Sequence, residues 1–203
     1  MIRPMKVADA EWAAGQHAAL MQHSVFARFG TGFLACFYRC FARSPHAIAF
    51  VHEEQGRPGA VITATIDRPA FLRELLRRHG LSLAAGALSG ILRQPGLLAA
   101  VQPLRYLREI PADDTSAELI YITVAEQSRA RGIARALIAA TLDECARRNV
   151  LKVKVTIESE NAPIKRILQS AGFAVTKTFF FAGKQNDLLE NTLPRQANKV
   201  FTA

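Results

Sequence analysis

A loop of arginines and small residues in the C-terminal half constrains the fold more than any other segment. Its sequence is Arg129-Ala-Arg-Gly132-Ile-Ala134, and it lies between a strand pattern at 119–124 and an amphipathic helix pattern at about 133–148. A small-residue turn that opens a helix directs several unpaired backbone N–H groups to one point, and the helix dipole adds roughly half a positive charge there. Arg129, Arg131 and Arg135 add full charges. We therefore predict a binding site for a phosphate or pyrophosphate group.

Two common nucleotide-binding loops do not explain this segment. A P-loop requires Gly-x-x-x-x-Gly-Lys-Ser/Thr, and a dinucleotide fingerprint requires Gly-x-Gly-x-x-Gly inside a βαβ unit. The sequence contains neither string. Short arginine-glycine strings are frequent, so the alternative that Gly132 merely starts a helix on a basic surface stays open at this point.

The residues after the loop alternate between helix and strand patterns. The helix carries its apolar residues on one side, and residues 151–158 have apolar side chains at every second position, which is typical of a strand. Asn161 then precedes a predicted helix over about 162–170, with Pro163 in its first turn and Gly172 as its C-terminal breaker. A further strand is predicted over 173–181.

This arrangement resembles the GCN5-related N-acetyltransferases (GNAT), which bind acetyl-CoA. Their pyrophosphate loop has the pattern Arg/Gln-x-x-Gly-x-Gly/Ala, and the similarity extends over about 117–182, including Asn161 and the pair Gly172-Phe173. The resemblance implies an α/β (α+β) fold, in which helices flank a mixed, mostly antiparallel central sheet. It also implies an acyltransferase of the EC 2.3.1 class.

The resemblance further implies which residues contact acetyl-CoA. The pantetheine arm would pair like an extra strand with the strand before the loop, through the backbones of Ile122 and Val124, and no metal would take part. The expected cofactor-binding residues are Ile122, Thr123, Val124, Arg129, Ala130, Arg131, Gly132, Ile133, Ala134, Arg135 and Asn161.

Catalytic residues follow from the same comparison. Glu118 has the ungapped spacing to the loop that is found in the histone-acetyltransferase branch, where this glutamate deprotonates the acceptor amine; the alternative is a strand-end charge that faces water. Glu158 is a second candidate base. Many members place a tyrosine four residues before the Gly-Phe pair, but this chain has Leu168 there. The general acid is therefore open, with Tyr121, Ser170 or a water as candidates, and a reaction that needs no strong acid is a further alternative.

Length and composition favour one domain. The chain has 203 residues, of which 50% are hydrophobic, and this is enough for one sizeable core. We expect a single acetyltransferase domain over 1–188, a helical insertion of two or three short helices over 69–111 before the CoA-binding strand, and a flexible tail over 189–203.

A signal region and a run of about 20 apolar residues are not found, so a cytoplasmic location is expected. The three cysteines are expected to be reduced.

The N-terminal half supplies further elements. Strands are predicted over 2–7, 47–52 and 60–66, and Asp9 is expected to cap a helix that begins near Ala10. A helix over 31–43 carries one aromatic stripe, which is either core or a wall of the acceptor pocket: Phe33, Leu34, Phe37, Tyr38 and Phe41. The apolar residues of the insertion favour, in this order, a cap over the acceptor site, a homodimer contact and a membrane-surface contact.

Charge narrows the class of acceptor. A net charge of +9 attracts anions, and no nucleic-acid recognition motif accompanies it. We expect transfer of an acetyl group to the primary amine of a small acceptor that can be anionic, such as an amino sugar nucleotide. The alternatives are a protein acetyltransferase for α-amino groups or lysines, and a CoA-binding sensor without chemistry. Acceptor identity, acyl-chain length and oligomeric state stay open.

Overall fold

The computed structural model describes residues 1–22, 24–93, 116–181 and 183–194, and these form one sheet with helices on both faces. In chain order the elements are β1 Ile2–Pro4, α1 Ala10–Leu20, α2 Val25–Arg28, α3 Thr31–Arg43, β2 Ala47–Glu54, β3 Arg57–Thr65, α4 Arg68–Arg93, β4 Ser116–Val124, α5 Ile133–Arg147, β5 Lys152–Glu158, α6 Ala162–Ser170, β6 Ala174–Phe181 and β7 Lys184–Thr192.

The sheet is mixed, as the sequence predicts. Its strand order is β1-β2-β3-β4-β5-β7-β6. Every neighbouring pair is antiparallel except β4 and β5, which run parallel. The expected fold class, a mostly antiparallel sheet flanked by helices, is confirmed.

The two faces of the sheet have separate hydrophobic cores. On one face, α5 and α6 bury residues such as Leu137 and Leu168 against the centre of the sheet. On the other face, α1 and α3 cover β2 and β3, and α4 packs on α3. We call these the helix-α5 face and the helix-α3 face.

The N-terminal strand is shorter than predicted, and Asp9 has another role. β1 ends at Pro4, and a 3-10 turn over Val7–Asp9 leads into α1. Asp9 makes no side-chain cap for α1; its carboxylate instead accepts the N–H of Lys6 at 2.7 Å and pairs with Arg3 at 2.7 Å. The expected capping role is wrong because the guanidinium of Arg3 and the 3-10 turn occupy the carboxylate.

One continuous helix replaces the first two short helices predicted for the insertion. α4 extends from Arg68 to Arg93, and glycines inside it do not interrupt it. At Gly86 an added Cβ would lie 3.2 Å from the Cβ of Phe33, so this glycine permits the close approach of α4 to α3. The part of the predicted insertion over 94–111 lies outside the described residues.

The last strand corrects the boundary of the predicted tail. β7 extends to Thr192 and pairs with both β5 and β6, so residues 189–192 belong to the sheet. The remainder of that tail over 195–203 lies outside the described residues.

β7 is polar in sequence, and the residue buried at its centre is an aspartate. Asp187 is 2% exposed, and its carboxylate accepts hydrogen bonds from Ser159, Thr178 and Lys165 at 2.9, 2.7 and 2.5 Å.

Replacement of Asp187 by asparagine should destabilise the fold by about 1.5–3 kcal/mol at pH 7, the range for hydrogen bonds to charged groups. Hydrogen bonding to Lys165 holds the pKa of this carboxyl below its ordinary value in the folded protein. Its contribution is therefore complete above the pKa of the unfolded chain, about 3.9, and is lost as the pH falls. Urea unfolding at several pH values measures both effects.

The matched control for this substitution is Glu158→Gln. Glu158 also pairs with a lysine, Lys184, but both side chains are about half exposed. We expect its removal to change stability by no more than about 0.5 kcal/mol. Equal losses in the two variants would contradict a special role for the buried carboxylate.

None of the helices described in the structure is both long and apolar enough to cross a membrane.

Candidate active site

The sheet divides where β4 and β5 separate. The parallel pairing of these strands extends only from Ser116 with Lys152 to Leu119 with Val155. Beyond this point β4 continues along β3, and β5 continues along β7. The register with β3 also shifts next to Leu119, which marks a bulge in β4. The result is a wedge between two strands at the centre of the sheet.

The edge of β4 that faces this wedge carries the backbone groups of alternate residues. The N–H of Ala125 donates to the carbonyl of Gly59 at 2.9 Å, on the β3 side. Because the hydrogen-bonding direction alternates along an antiparallel strand, Thr123 also faces β3, whereas Ile122 and Val124 face the wedge. The structure thus places two of the three predicted strand contacts at the open edge and the backbone of Thr123 on the other side.

The loop after β4 presents backbone N–H groups at the end of this wedge. Ala130 and Gly132 have φ values of +58° and +73°, and such left-handed residues turn successive N–H groups toward one side. The first N–H of α5 with a backbone partner is that of Ala136, which donates to Gly132 at 3.0 Å. Within the described chain, the three preceding residues (Ile133, Ala134, Arg135) have no such partner, as expected for a helix N-terminus. The loop is suited to bind an anion.

The three arginines of the loop have different surroundings. The Nε of Arg129 donates to the carbonyl of Val124 at 3.4 Å, so this side chain lies next to the wedge. Arg131 instead forms a bidentate pair with Glu54 at 2.7 and 2.6 Å and holds the pKa of that carboxyl below its ordinary value. Arg135 is exposed on the first turn of α5. The charge of Arg131 is therefore offset, while Arg129 is beside the predicted cofactor path.

Asn161 directly precedes α6, and Leu168 lies on this helix. Asn161 is exposed, and its Oδ1 accepts from the N–H of Ile164 at 3.5 Å, which makes it the N-cap of this helix. Leu168 is 1% exposed and belongs to the core of the helix-α5 face. A hydrophobic core contact thus takes the place where many family members have a tyrosine.

The side chain of Glu118 is largely enclosed on the helix-α3 face, and two positively charged residues lie beside it. Its carboxylate is 12% exposed and lies 3.2 Å from the Nη1 of Arg68, at the start of α4. On the neighbouring strand its register partner is Lys154, which is 5% exposed and projects from the same face. Glu118 is therefore not a strand-end charge in open water. The second candidate base, Glu158, is 51% exposed and pairs with Lys184.

Tyr121 follows the bulge and packs into a cluster of rings. Its ring centroid lies 4.3 Å from that of His17 and 6.3 Å from those of Phe26 and Phe37. Burial raises the pKa of its phenol to about 12, and a hydrogen bond with Ser24 opposes part of this rise.

The predicted aromatic stripe of α3 is mostly core, since the side chains of Leu34, Phe37, Tyr38 and Phe41 are buried.

Buried hydroxyl groups line the same face of the sheet. Thr65 lies opposite Glu118, and Thr63 lies opposite Tyr121. The hydroxyls of Thr63, Thr65 and Thr123 have no hydrogen-bond partner within the described part of the chain. Buried polar atoms of this kind commonly contact water or a ligand, so the surface around Glu118 and Tyr121 is polar rather than purely apolar.

Sequence patterns did not identify four residues of this region. Arg68 and Lys154 carry no motif, and only the register of β4 with β5 and the position of α4 bring them to Glu118. The ring of His17, on α1, lies against that of Tyr121, and Ser24, directly before α2, bonds to His17. Both ring nitrogens of His17 have hydrogen-bond partners, the hydroxyls of Tyr38 and Ser24.

Solved structures of acetyltransferases share this fold. A ribosomal-protein-alanine N-acetyltransferase from Brucella melitensis has a TM-score of 0.65 at 17% identity, over 95% of this chain and 99% of that one. A putative acetyltransferase from Salmonella typhimurium, solved with its cofactor acetyl-CoA, has a TM-score of 0.64 at 18% identity, over 97% and 95%. A chimeric spermidine N-acetyltransferase from Vibrio cholerae and hSSAT has a TM-score of 0.59 at 16% identity, over 95% of each chain. No curated protein matches the sequence significantly.

A family model provides the assignment. The model of the acetyltransferase (GNAT) family matches residues 18–173, which include the wedge and the loop. The described residues contain no group of three or more His, Cys, Asp or Glu that could hold a metal ion. The chain belongs to the GNAT acetyltransferase family and is an acyltransferase with acetyl-CoA as its co-substrate.

Proposed function

We propose that this protein transfers the acetyl group of acetyl-CoA to the primary amine of a small acceptor by direct attack of the amine. The observation that carries the proposal is the wedge between β4 and β5, which opens toward the free N–H groups of α5 and has Glu118 at its base. Donor and acceptor can therefore be bound at the same time, and the reaction needs no acyl-enzyme.

The donor is expected to lie along the open edge of β4. Ile122 and Val124 would pair with the pantetheine arm, and the loop of Ala130 to Arg135 would bind the pyrophosphate. Arg129 beside Val124 would support this contact. Asn161, at the N-terminus of α6, remains a predicted contact on the other side of the wedge.

The chemistry requires one proton acceptor and one hydrogen-bond donor. Glu118 takes a proton from the acceptor ammonium, and the amine nitrogen then forms a bond with the acetyl carbon. The carbon–sulfur bond breaks with its electron pair on sulfur, and the second proton that the nitrogen loses ends on the thiolate, which leaves as the CoA thiol. A phenol with a pKa of about 12 keeps its proton beside a thiolate whose acid has a pKa of about 8.5. Tyr121 therefore acts by donating a hydrogen bond to the leaving sulfur, rather than as a full acid.

The charge around Glu118 favours an acceptor with an anionic group. Arg68 and Lys154 flank the carboxylate that receives the ammonium. A small acceptor with a phosphate or carboxylate near its amine would match this arrangement, because its anionic group complements Arg68 and Lys154 and its ammonium complements Glu118. A nucleotide-linked amino sugar has these properties.

A protein acceptor is the second candidate. Among structures with this fold, one is named for acetylation of a ribosomal-protein alanine and another for spermidine. Proteins of this fold therefore include both classes of acceptor.

α4 has exposed leucines on the side away from α3, including Leu81, Leu88 and Leu92. These could contact a second copy of the chain or a membrane surface. We expect a cytoplasmic enzyme.

Release of the CoA thiol against a panel of amines tests the proposal. The panel contains an amino sugar with and without phosphate, spermidine, and peptides with a free N-terminal alanine or a lysine. We expect the highest kcat/KM for the phosphorylated amino sugar. Preference for a peptide would favour the second candidate, and tight CoA binding without turnover on any amine would indicate a sensor.

A further inference from the structure

A chain of hydrogen bonds behind Tyr121 links four side chains of the helix-α3 face. The Nδ1 of His17 lies 3.1 Å from the hydroxyl of Tyr38, and its Nε2 lies 3.1 Å from the hydroxyl of Ser24. The ring of His17 also packs against that of Tyr121, with centroids 4.3 Å apart, and Ser24 is the hydrogen-bond partner of the Tyr121 phenol. His17 and Tyr38 are fully buried, and none of the four belongs to the loop or to the strand edge that holds the cofactor.

The direction of this chain follows from its buried end. Burial lowers the pKa of His17 to about 4, so its ring is neutral and has one donor and one acceptor nitrogen. Among the described residues, His17 is the only hydrogen-bond partner of the Tyr38 hydroxyl. The hydrogen of this buried phenol needs an acceptor, and Nδ1 must therefore accept it. Nε2 then carries the ring hydrogen and donates it to Ser24.

The same logic continues to Tyr121. Because the Ser24 oxygen accepts from His17, its own hydrogen is available for the oxygen of Tyr121. The hydrogen of Tyr121 is then directed away from the chain. In the opposite direction, Tyr121 would donate to Ser24, and the hydrogen of Tyr38 would be buried without an acceptor. The first arrangement satisfies every buried donor.

We propose that His17 and Ser24 are positioning residues that orient the Tyr121 hydroxyl as a hydrogen-bond donor toward the reacting thioester. This inference rests on the proposed function for its catalytic consequence. Ser24 donates a hydrogen bond to the Tyr121 oxygen. This bond strengthens the one that Tyr121 donates to the sulfur as the carbon–sulfur bond breaks. No proton leaves this chain of hydrogen bonds, so the proton transfers of the reaction remain those between the amine, Glu118 and the leaving thiolate.

A double-mutant cycle tests the kinetic part. Tyr121→Phe and Ser24→Ala should each lower kcat more than the KM for acetyl-CoA, and Ser24→Ala should cost about 3–10-fold, the range of one hydrogen bond. In the Tyr121→Phe background, Ser24→Ala should have little further effect, and Ser24→Thr, which keeps the hydroxyl, should restore kcat. Thermal unfolding of each variant checks the fold. Full additivity of the two losses would overturn the proposal, because Ser24 would then act independently of Tyr121.

The tautomer of His17 tests the direction without any activity measurement. Nitrogen-15 chemical shifts of the histidine rings, assigned with His17→Gln, should show His17 protonated on Nε2. Protonation on Nδ1 would reverse the chain and overturn the inference, even in an active enzyme. If the wild type acetylates no amine of the panel, the proposed function fails, and this measurement still decides the orientation of the chain.

Discussion

Replacement of Glu118 by glutamine is expected to lower kcat/KM for the amine by roughly 10²–10⁴-fold, the usual contribution of a general base. The glutamine has nearly the same shape but cannot take the proton of the ammonium. Acetyl-CoA binding should remain nearly unchanged, because the carboxylate lies on the helix-α3 face and not at the loop. Steady-state kinetics with the best amine and calorimetric titration with CoA measure the two effects separately.

Two matched variants identify the cause of such a loss. Arg68→Gln breaks the same ion pair as Glu118→Gln but keeps the carboxylate, so it should retain much more activity. Glu158→Gln removes the exposed second candidate and should leave turnover unchanged. If Glu118→Gln is fully active, or if Glu158→Gln shows the larger loss, the assignment of the base is incorrect.

Charge reversal at two loop positions, in the variant R129E/R135E, should weaken CoA binding by roughly 100-fold, or about 2.7 kcal/mol. Both side chains belong to the predicted pyrophosphate loop, where Arg129 lies beside Val124 and Arg135 is on the first turn of α5. Coulomb interactions with the phosphates change from attraction to repulsion. The effect should decrease at high salt, because these positions are exposed. Titration of CoA at two salt concentrations measures it.

The controls for this prediction use the same charge change elsewhere. R73E/R77E on α4 alters the net charge equally, on the opposite face of the sheet, and should have little effect on CoA affinity. Arg131→Glu should have a smaller effect than Arg129→Glu because Glu54 already offsets the charge of Arg131. Equal losses for the loop and the α4 variants would show that only net charge matters.

Secondary structure in the C-terminal half was predictable because each element has its own local signal. α6 begins and ends at the predicted residues, and α5 and β5 agree within one residue. The alternation of apolar residues and the positions of Gly132 and Gly172 depend only on nearby residues. β7 was not predicted, since its buried position 187 holds an aspartate that other elements neutralise. The glycines of α4 resemble helix breaks in the sequence, and short helices are therefore predicted there. In the structure the helix is continuous, and Gly86 provides room for Phe33.

The candidate site was predictable in its donor half and much less in its acceptor half. The loop is contiguous, so its family pattern was visible in the sequence, and Glu118 could be placed by its spacing to that loop. Arg68 contacts Glu118 across 50 residues, and Arg131 contacts Glu54 across 77. Contacts of such separation leave no trace in local spacing, which is why the role of Arg68 and the pairing of Arg131 were not foreseen.

The sequence by itself determined the loop that is predicted to bind an anion, the order of elements around it and the family to which the chain belongs. These depend on backbone preferences and periodicities that act over a few residues. Only the tertiary structure decided which side chains surround Glu118, which strand edge is open and how Tyr121 is held. The reason is physical: strand register and helix packing bring together residues from α1, α4, β4 and β5, and the burial that orients a hydrogen bond exists only after that assembly.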